Sequence, residues 1–233
     1  MNTKIFCDSA DYKTISRFNK NKLVSGFTTN PSLMRNAGAK SYRLYSKKIL
    51  KICKKKPISL EVFADDKKNM LKQAYLINNW GKNIFVKIPV VNSKGKFMGN
   101  IIRDLNKKNV KLNITAVYTA QQTKKILNNI NKKTKVIISI FAGRSADTGK
   151  DPVPEFKKSI SLAKNYKNVE ILWASVREPY NYLQSKQLGC HIITIPPSII
   201  EKIEKFGQKS FQKLTIETVK AFLNDSTKSN FKI

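Results

Sequence analysis

Histidine and cysteine are scarce in this chain of 233 residues, which has one histidine and three cysteines. The histidine follows a cysteine as Cys190-His191, but no further residue lies at metal-ligand spacing from this pair, and we predict no metal site. Cys7 and Cys53 are far away in the sequence, which fits a reduced chain better than a disulfide framework.

Long apolar runs are also absent. No stretch of about 18 apolar residues occurs, so the sequence predicts no membrane span and no membrane partner. The N-terminus becomes polar too soon for a signal peptide, and we expect a cytoplasmic protein.

Negative charge is limited, because 15 acidic residues stand against 45 basic ones and the formal net charge is +30. Only six of the basic residues are arginines, and the lysines are spread along the whole chain. This spread indicates a lysine-biased composition rather than a nucleic-acid footprint, which usually clusters on one face. We expect no specific nucleic-acid partner, while a positive field steers anionic substrates.

Short apolar runs alternate with longer, lysine-rich amphipathic segments. The apolar runs have strand length and are rich in β-branched residues. The predicted strands are 4–8, 23–28, 58–63, 84–89, 110–117, 135–141, 169–175 and 190–196. The predicted helices are 11–18, 41–53, 67–80, 98–105, 120–130, 154–166, 179–187 and 198–206, with a further helix at 214–223.

Eight strands that are each followed by a helix indicate an α/β protein with a parallel sheet covered on both faces. In a chain of this length, closure into a barrel is favoured over an open sheet. We predict a single (β/α)8 TIM-barrel domain over residues 1–233, in which 207–233 form an additional C-terminal helix and tail.

Polar residues interrupt the predicted strands near their carboxyl ends, where barrel enzymes build their active sites. A charge in a strand covered on both faces is costly unless it is paired or hydrogen-bonded. The polar positions are Asp8, Thr28, Asn30, Glu61, Lys87, Asn113, Thr115, Ser139 and Ser175. The set predicts a site that combines carboxyl, amine and hydroxyl groups.

Lys87 is the candidate nucleophile, since it is flanked by Ile84, Val86 and Ile88. Burial disfavours the charged form of an amine and frees it to attack a ketone carbonyl. The resulting Schiff base accepts electrons when the adjacent carbon–carbon bond breaks. The structural alternative is a buried salt bridge from Lys87 to Asp8 or Glu61. That pairing is compatible with catalysis, because such a carboxyl group can move the hydroxyl proton through a water, which Thr115 is suited to orient.

Two arginines follow neighbouring strands, in Phe141-Ala142-Gly143-Arg144 and Ala174-Ser175-Val176-Arg177. Guanidinium groups suit bidentate contacts to oxyanions, and the loops after the last strands are the usual phosphate site of barrel enzymes. A pair with a neighbouring carboxylate such as Asp147 is the alternative for either arginine. We predict that Arg144, Ser175 and Arg177 bind a substrate phosphate.

The chain resembles the small transaldolases and their relatives, the fructose-6-phosphate aldolases. The matching segments occur in order, at fitting spacings, across essentially the whole chain. They are Phe6-Cys7-Asp8-Ser9-Ala10, Gly26-Phe27-Thr28-Thr29-Asn30-Pro31-Ser32-Leu33, Glu61-Val62, Val86-Lys87-Ile88-Pro89, Asn113-Ile114-Thr115, Phe141-Ala142-Gly143-Arg144, Ala174-Ser175-Val176-Arg177 and Ile193-Thr194-Ile195-Pro196. Thr-Thr-Asn-Pro-Ser followed by Val-Lys-Ile-Pro is highly specific in combination.

The resemblance implies an enzyme of carbohydrate metabolism, as in the pentose phosphate pathway, that needs no metal or cofactor. It implies that Lys87 forms a Schiff base with a ketose phosphate, that Glu61 and Thr115 bind the catalytic water, and that Asp8 serves as acid and base. Sugar phosphates are the implied partners, together with further copies of the chain, often ten, joined through the terminal helix. The implied substrate contacts are Thr28, Asn30, Asn113, Ser139, Phe141, Arg144, Ser175 and Arg177.

Two positions separate the subfamilies, because the aldolases carry Gln and Tyr where this chain has Glu61 and Phe141. This favours transfer of a dihydroxyacetone unit to an aldose phosphate over simple aldol cleavage. Trp173 departs from the family pattern, in which a small residue stands two positions before Ser175. Strand alternation assigns both residues to one face, so we expect Trp173 to fill the barrel core or to reshape the pocket.

Three functions stay open at this stage. The first is a transaldolase, and the second is a fructose-6-phosphate aldolase-like lyase or a divergent transaldolase that acts on an unusual anionic sugar. The third is a basic nucleic-acid-binding protein, which the lack of an aromatic-and-basic stacking motif disfavours.

Overall fold

The computed structural model describes residues 3–229. Eight parallel strands follow one another in chain order around a closed barrel, and β8 pairs with β1. The predicted (β/α)8 barrel is confirmed. The strands are β1 (Lys4–Asp8), β2 (Val24–Thr28), β3 (Ile58–Glu61), β4 (Ile84–Pro89), β5 (Leu112–Val117), β6 (Val136–Phe141), β7 (Val169–Ala174) and β8 (Ile192–Ile195).

At least one helix follows every strand. The helices are α1 (Tyr12–Lys20), α2 (Pro31–Asn36), α3 (Tyr42–Ile52), α4 (Lys67–Asn78), α5 (Gly99–Lys107), α6 (Ala120–Leu127), α7 (Ala142–Ala146), α8 (Val153–Ala163), α9 (Tyr180–Gln187), α10 (Pro197–Ile203) and α11 (Phe211–Ser229).

Two short helices, α2 and α7, were not predicted. α2 has Pro31 as its first residue, and the Asn30 side chain accepts a hydrogen bond from the Leu33 backbone amide. Both residue types are ordinary helix-start signals, but six residues are too few to form an apolar period. α7 follows β6 without a loop, so the strand pattern conceals its start.

The side chains inside the barrel change from apolar to polar along the strands. Phe6, Phe85 and Ile137 belong to an apolar cluster in the barrel interior. Two residues later on the same strands come Asp8, Lys87 and Ser139, which share the inward face because side chains alternate along a strand. The barrel therefore collects polar groups at its carboxyl end.

The described part of the chain divides into two compact units, one that ends at Ile200 and one that begins at Glu201. The second unit contains α11, which extends beyond the predicted helix 214–223 at both ends and has no buried residue. Of the predicted terminal segment 207–233, residues 230–233 lie outside the described residues. Within residues 3–229, we find no helix with the length and hydropathy needed to cross a membrane.

Candidate active site

Lys87 is buried at the carboxyl end of β4, with 8% of its surface exposed. Its Nζ lies 3.3 Å from Glu61 Oε2 and donates a hydrogen bond to the Thr29 carbonyl oxygen, at 3.1 Å. Glu61 and Lys87 are register partners on β3 and β4, so sheet pairing brings the two charges together. Lys87, the candidate nucleophile, therefore also forms the salt bridge with Glu61 that the sequence analysis gave as the structural alternative.

The apolar flanks of Lys87 do not surround its amine. Val86 and Ile88 are buried, but alternation turns them to the opposite strand face, towards the helices. The groups that contact the amine are a carboxylate and a backbone carbonyl. The expectation that apolar side chains surround the Lys87 amine therefore needs correction, because its nearest neighbours are polar.

Tyr42 on α3 holds the backbone of Glu61 from outside the sheet. Its hydroxyl donates to the Glu61 carbonyl oxygen, at 3.1 Å, and accepts from the Glu61 amide, at 2.9 Å. Burial raises the pKa of Tyr42, so the phenol stays protonated and keeps both hydrogen bonds. The sequence contains no local signal for this role, which depends on how α3 packs against β3.

Asp8 lies at the end of β1, and its Oδ1 accepts a hydrogen bond from Thr28 Oγ1, at 2.6 Å. Thr28 Oγ1 also contacts Thr194 Oγ1 on β8. Burial raises the pKa of Asp8, while the charge of Lys87 and the Thr28 hydrogen bond lower it in part. The net rise suits a group that must both give and accept a proton. Thr194 was not predicted as a site residue.

Asn113 links two serines across the barrel interior. Its Nδ2 donates to Ser59 Oγ, at 2.9 Å, and its Oδ1 accepts from Ser139 Oγ, at 2.6 Å. Ser59 escaped the sequence analysis because a serine inside an apolar run gives no strong signal. The chain of hydrogen bonds fixes the amide orientation beneath Lys87, whose register partner on β5 is Asn113.

Thr115 carries a buried hydroxyl that makes no hydrogen bond to any described protein group. The next residue, Ala116, has a positive φ of 57°, and the pairing register of β5 with β6 shifts between Ile114 and Val117. A left-handed non-glycine residue is strained, and such strain is concentrated at functional sites. This register shift thus interrupts the regular pairing of β5 next to the Thr115 hydroxyl, which is available to bind a ligand.

A cavity of about 220 Å³ opens above these residues. Nine of the twelve predicted site residues line it, whereas Glu61, Asn113 and Thr115 do not. Ala174 and Thr194 complete the lining. The predicted lining residues are Asp8, Thr28, Asn30, Lys87, Ser139, Phe141, Arg144, Ser175 and Arg177.

The two arginines of the cavity have different partners. Arg177 forms a bidentate ion pair with Asp147, through Nε at 3.1 Å and Nη2 at 2.6 Å. Arg144 lies over the Phe141 ring, 5.7 Å from its centroid, and no carboxylate within residues 3–229 forms a salt bridge with it. The alternative considered for either arginine, a pair with Asp147, is therefore present at Arg177, and the phosphate contact stays a prediction.

Ser175 leaves the regular strand geometry directly after β7, with a φ of 64°. Its Oγ is buried without a hydrogen bond to another described group, and the residue lines the cavity. Its carbonyl oxygen lies 1.8 Å from the point that a Cβ on Gly143 would occupy. Only glycine permits this close approach, which sets the start of α7 and hence the position of Arg144.

Trp173 does not share a face with Ser175, contrary to the expectation from alternation. Its ring is 1% exposed and stacks on Phe156 of α8, with the centroids 4.4 Å apart. The positive φ of Ser175 breaks the alternation, so that Ser175 joins the cavity while Trp173 packs between strand and helix. Trp173 therefore neither fills the barrel interior nor lines the pocket.

Cys190 is buried, and His191 takes part in a hydrogen bond with the backbone of β7. The Ile171 amide donates to His191 Nδ1, at 3.1 Å. Burial raises the pKa of Cys7 and Cys190 to about 12 and that of Cys53 to about 11, so the thiols stay protonated. No group of three His, Cys, Asp or Glu side chains within residues 3–229 could hold a metal ion.

The family model described as transaldolase/fructose-6-phosphate aldolase matches residues 5–233. The chain belongs to this family. It is 32% identical over 231 residues to a "Probable transaldolase" from Thermoanaerobacter sp., covering 99% of this chain and 100% of that protein. It is 34% identical over 203 residues to a "Probable transaldolase" from Methanococcus maripaludis, covering 86% of this chain and 89% of the relative.

Two solved structures are similar in fold alone. Orotidine 5′-monophosphate decarboxylase from Metallosphaera sedula matches with a TM-score of 0.56 at 12% identity, over 88% of this chain and 97% of that one. KGPDC from Streptococcus mutans matches with a TM-score of 0.58 at 10% identity, over 86% of this chain and 91% of that one. Membership of the transaldolase/fructose-6-phosphate aldolase family makes this chain an aldolase- or transaldolase-type enzyme.

Proposed function

We propose that this enzyme transfers a dihydroxyacetone unit from a ketose phosphate to an aldose phosphate through a Schiff base on Lys87. The observation that carries the proposal is the buried Lys87 amine, which lies 3.3 Å from the Glu61 carboxylate. The amine opens into a cavity that extends from Asp8 to two arginines. The proposed nucleophile Lys87, the proposed acid and base Asp8 and both arginines line this one cavity, which supports the proposal.

In the proposed reaction, Lys87 gives a proton to Glu61 and its amine adds to the ketose carbonyl. Asp8, whose pKa burial raises, then protonates the departing hydroxyl as the imine forms. The Asp8 carboxylate then takes the proton of the β-hydroxyl while the α–β carbon bond breaks. The bonding electrons move into the imine as an enamine, and the first aldose leaves.

The enamine next attacks the aldehyde carbon of the acceptor, whose oxygen takes the proton from Asp8. A water bound by Glu61 and Thr115 hydrolyses the new imine and restores the amine. Thr28, Asn30, Asn113 and Ser139 would contact the hydroxyl groups, and Phe141 would pack beside the sugar. In this proposal Arg144, Ser175 and Arg177 bind the phosphate.

Borohydride trapping tests the nucleophile. Incubation with fructose 6-phosphate and borohydride should give a reduced adduct that peptide mass mapping assigns to Lys87. Lys87→Met should abolish the adduct, whereas the matched variant Lys158→Met, at an exposed lysine of α8, should retain it. An adduct on another lysine in the wild-type enzyme would contradict the proposal.

The acceptor requirement separates transfer from cleavage. With fructose 6-phosphate alone, a transferase should form little free dihydroxyacetone, and added erythrose 4-phosphate should start turnover. Accumulation of free dihydroxyacetone without an acceptor would identify the fructose-6-phosphate aldolase-like lyase instead.

We further propose that residues 1–233 act as one domain in a cytoplasmic homo-oligomer. α11 supports the oligomer, because large apolar side chains along it are exposed to solvent in the single chain. They are Phe211, Leu214, Ile216, Val219, Phe222 and Leu223. Another copy of the chain would remove this apolar surface from water.

A further inference from the structure

The opposite mouth of the barrel collects lysines at the amino ends of the strands. Lys4 is the first residue of β1, and Lys111 and Lys135 directly precede β5 and β6. Parallel strands bring all their amino ends to one side of a barrel. These three lysines, together with Lys54, Lys55 and Lys82, line a cavity of about 450 Å³.

The floor of this cavity is apolar. Phe6, Phe85 and Ile137 reach it from the barrel interior, and they belong to the same buried cluster. Lys111 Nζ lies 5.3 Å from the centroid of the Phe85 ring. An ammonium held over an aromatic floor is partly desolvated, which strengthens its attraction to an anion.

Negative charge does not balance these lysines. Among the described residues that line the cavity, Glu170 is the one carboxylate, and it forms an ion pair with Lys4 at 2.5 Å. Burial lowers the pKa of Lys111, and the nearby charge of Lys135 lowers it further. The lysines therefore repel one another in a concave site, whereas composition bias alone would spread them over the surface.

The basic surface continues into a second cavity of about 750 Å³. The two cavities share Lys4, Lys135 and Glu170, and the second adds Lys164 and Lys167. A ligand with several linked negative charges fits this arrangement better than a single phosphate, because the amines are distributed along a trough.

We propose that the amino-end mouth of the barrel binds a compact oligophosphate anion, with Lys82, Lys111 and Lys135 as its central contacts. Several ammonium groups around one concave surface supply point-charge contacts that suit linked phosphates. A nucleic acid would also use aromatic faces for base stacking, but Phe6 and Phe85 are only 3% and 6% exposed. The Tyr166 ring of the second cavity is covered by Lys132, 5.4 Å from its centroid.

The test uses inorganic tripolyphosphate and the full-length chain. Arg144→Gln/Arg177→Gln serves as the background, since it removes the arginines at the other end of the barrel. Isothermal titration should detect tripolyphosphate binding that Lys111→Gln/Lys135→Gln weakens by about tenfold or more. The matched control Lys157→Gln/Lys158→Gln changes the net charge equally at two exposed positions of α8 and should leave the affinity nearly unchanged.

Lysine acetylation read by mass spectrometry gives a second measurement that does not depend on a variant folding. Tripolyphosphate should protect Lys82, Lys111 and Lys135, and it should not protect Lys157 or Lys158. Equal loss of affinity in both double variants would overturn the proposal in favour of a general charge effect. Stronger protection of the same lysines by a short single-stranded oligonucleotide would overturn it in favour of nucleic acid.

Discussion

The Lys87 amine and the Asp8 carboxyl group lie in the same barrel but have different surroundings. The Glu61 carboxylate and the Thr29 carbonyl oxygen contact the Lys87 amine. Burial acts most strongly on Asp8 and favours its neutral form. The two groups can therefore exchange protons with a substrate in the cavity that they share.

We expect Asp8→Asn to change the pH dependence of stability. Burial raises the pKa of Asp8 above its ordinary value of 3.8, so the folded protein holds a proton that the unfolded chain loses as the pH rises past that value. Wild-type stability should fall through this window, whereas Asn has no proton to lose. Urea unfolding should show Asp8→Asn gaining stability relative to wild type as the pH rises above about 4.

The same variant should lose activity by roughly 10²–10⁴-fold, because the acid and base is removed. Lys87 trapping should still be detectable in Asp8→Asn, since its amine is retained. A stability difference that stays flat across the pH range would show that burial of Asp8 has no energetic cost.

The two arginines of the cavity should differ in their importance for the phosphate. No carboxylate within residues 3–229 forms a salt bridge with Arg144, although its charge helps to lower the pKa of Asp147, whereas Arg177 already uses two N–H groups on Asp147. Arg144→Gln should raise the KM for a phosphorylated ketose by about tenfold, and Arg177→Gln should raise it less. Steady-state kinetics with fructose as an unphosphorylated donor supplies the control, and an equal effect on that donor would exclude a phosphate contact.

Among the elements, α2 begins after Asn30, a residue that both caps the helix and lines the cavity. Its Oδ1 caps the helix by accepting from the Leu33 amide, at 2.9 Å, and the residue also lines the cavity. The cap leaves the amide Nδ2 as a donor for the substrate.

Asn30→Asp should keep the cap and remove the donor, whereas Asn30→Ala should remove both. We expect the stability of Asn30→Asp to equal that of wild type, and Asn30→Ala to lose about 1 kcal/mol. Both variants should lose activity. Stability is measured by urea unfolding and activity by steady-state kinetics, on the same samples. Full activity in Asn30→Asp would limit Asn30 to a capping role.

The strand ends determine which site residues could be predicted. Asp8, Glu61 and Lys87 stand out because a charge inside an apolar run is costly to bury and therefore rare. Tyr42 and Thr194 give no such signal, since one lies on an ordinary helix and the other on a β-branched strand. The face of Trp173 was assigned wrongly because alternation holds only while φ stays in the β region, and Ser175 has a φ of 64°.

At the scale of the whole molecule, α11 carries large apolar side chains that are exposed to solvent in the single chain. Phe222 and Leu223 are exposed by 69% and 68%, which is unfavourable in water. If α11 joins copies of the chain, Phe222→Ser/Leu223→Ser should shift the protein towards the mass of a single chain in sedimentation velocity. The matched variant Gln212→Ser/Asn224→Ser, at exposed polar positions of α11, should keep the assembly. If Phe222→Ser/Leu223→Ser kept the wild-type assembly mass, as the matched variant should, these side chains would be excluded from the interface.

The sequence by itself determined the barrel, its eight strands and the residues at their carboxyl ends. It could do so because strand periodicity and the cost of burying a charge are both local properties of the chain. The family segments, which occur in order along the chain, also indicated the function from the sequence alone.

Only the tertiary structure decided how these residues meet. Sheet register paired Glu61 with Lys87, and packing of α3 brought Tyr42 to the Glu61 backbone. The close approach of Gly143 to Ser175 set the position of Arg144. These contacts join residues that are distant in sequence, so their geometry depends on closure of the barrel and not on any local pattern.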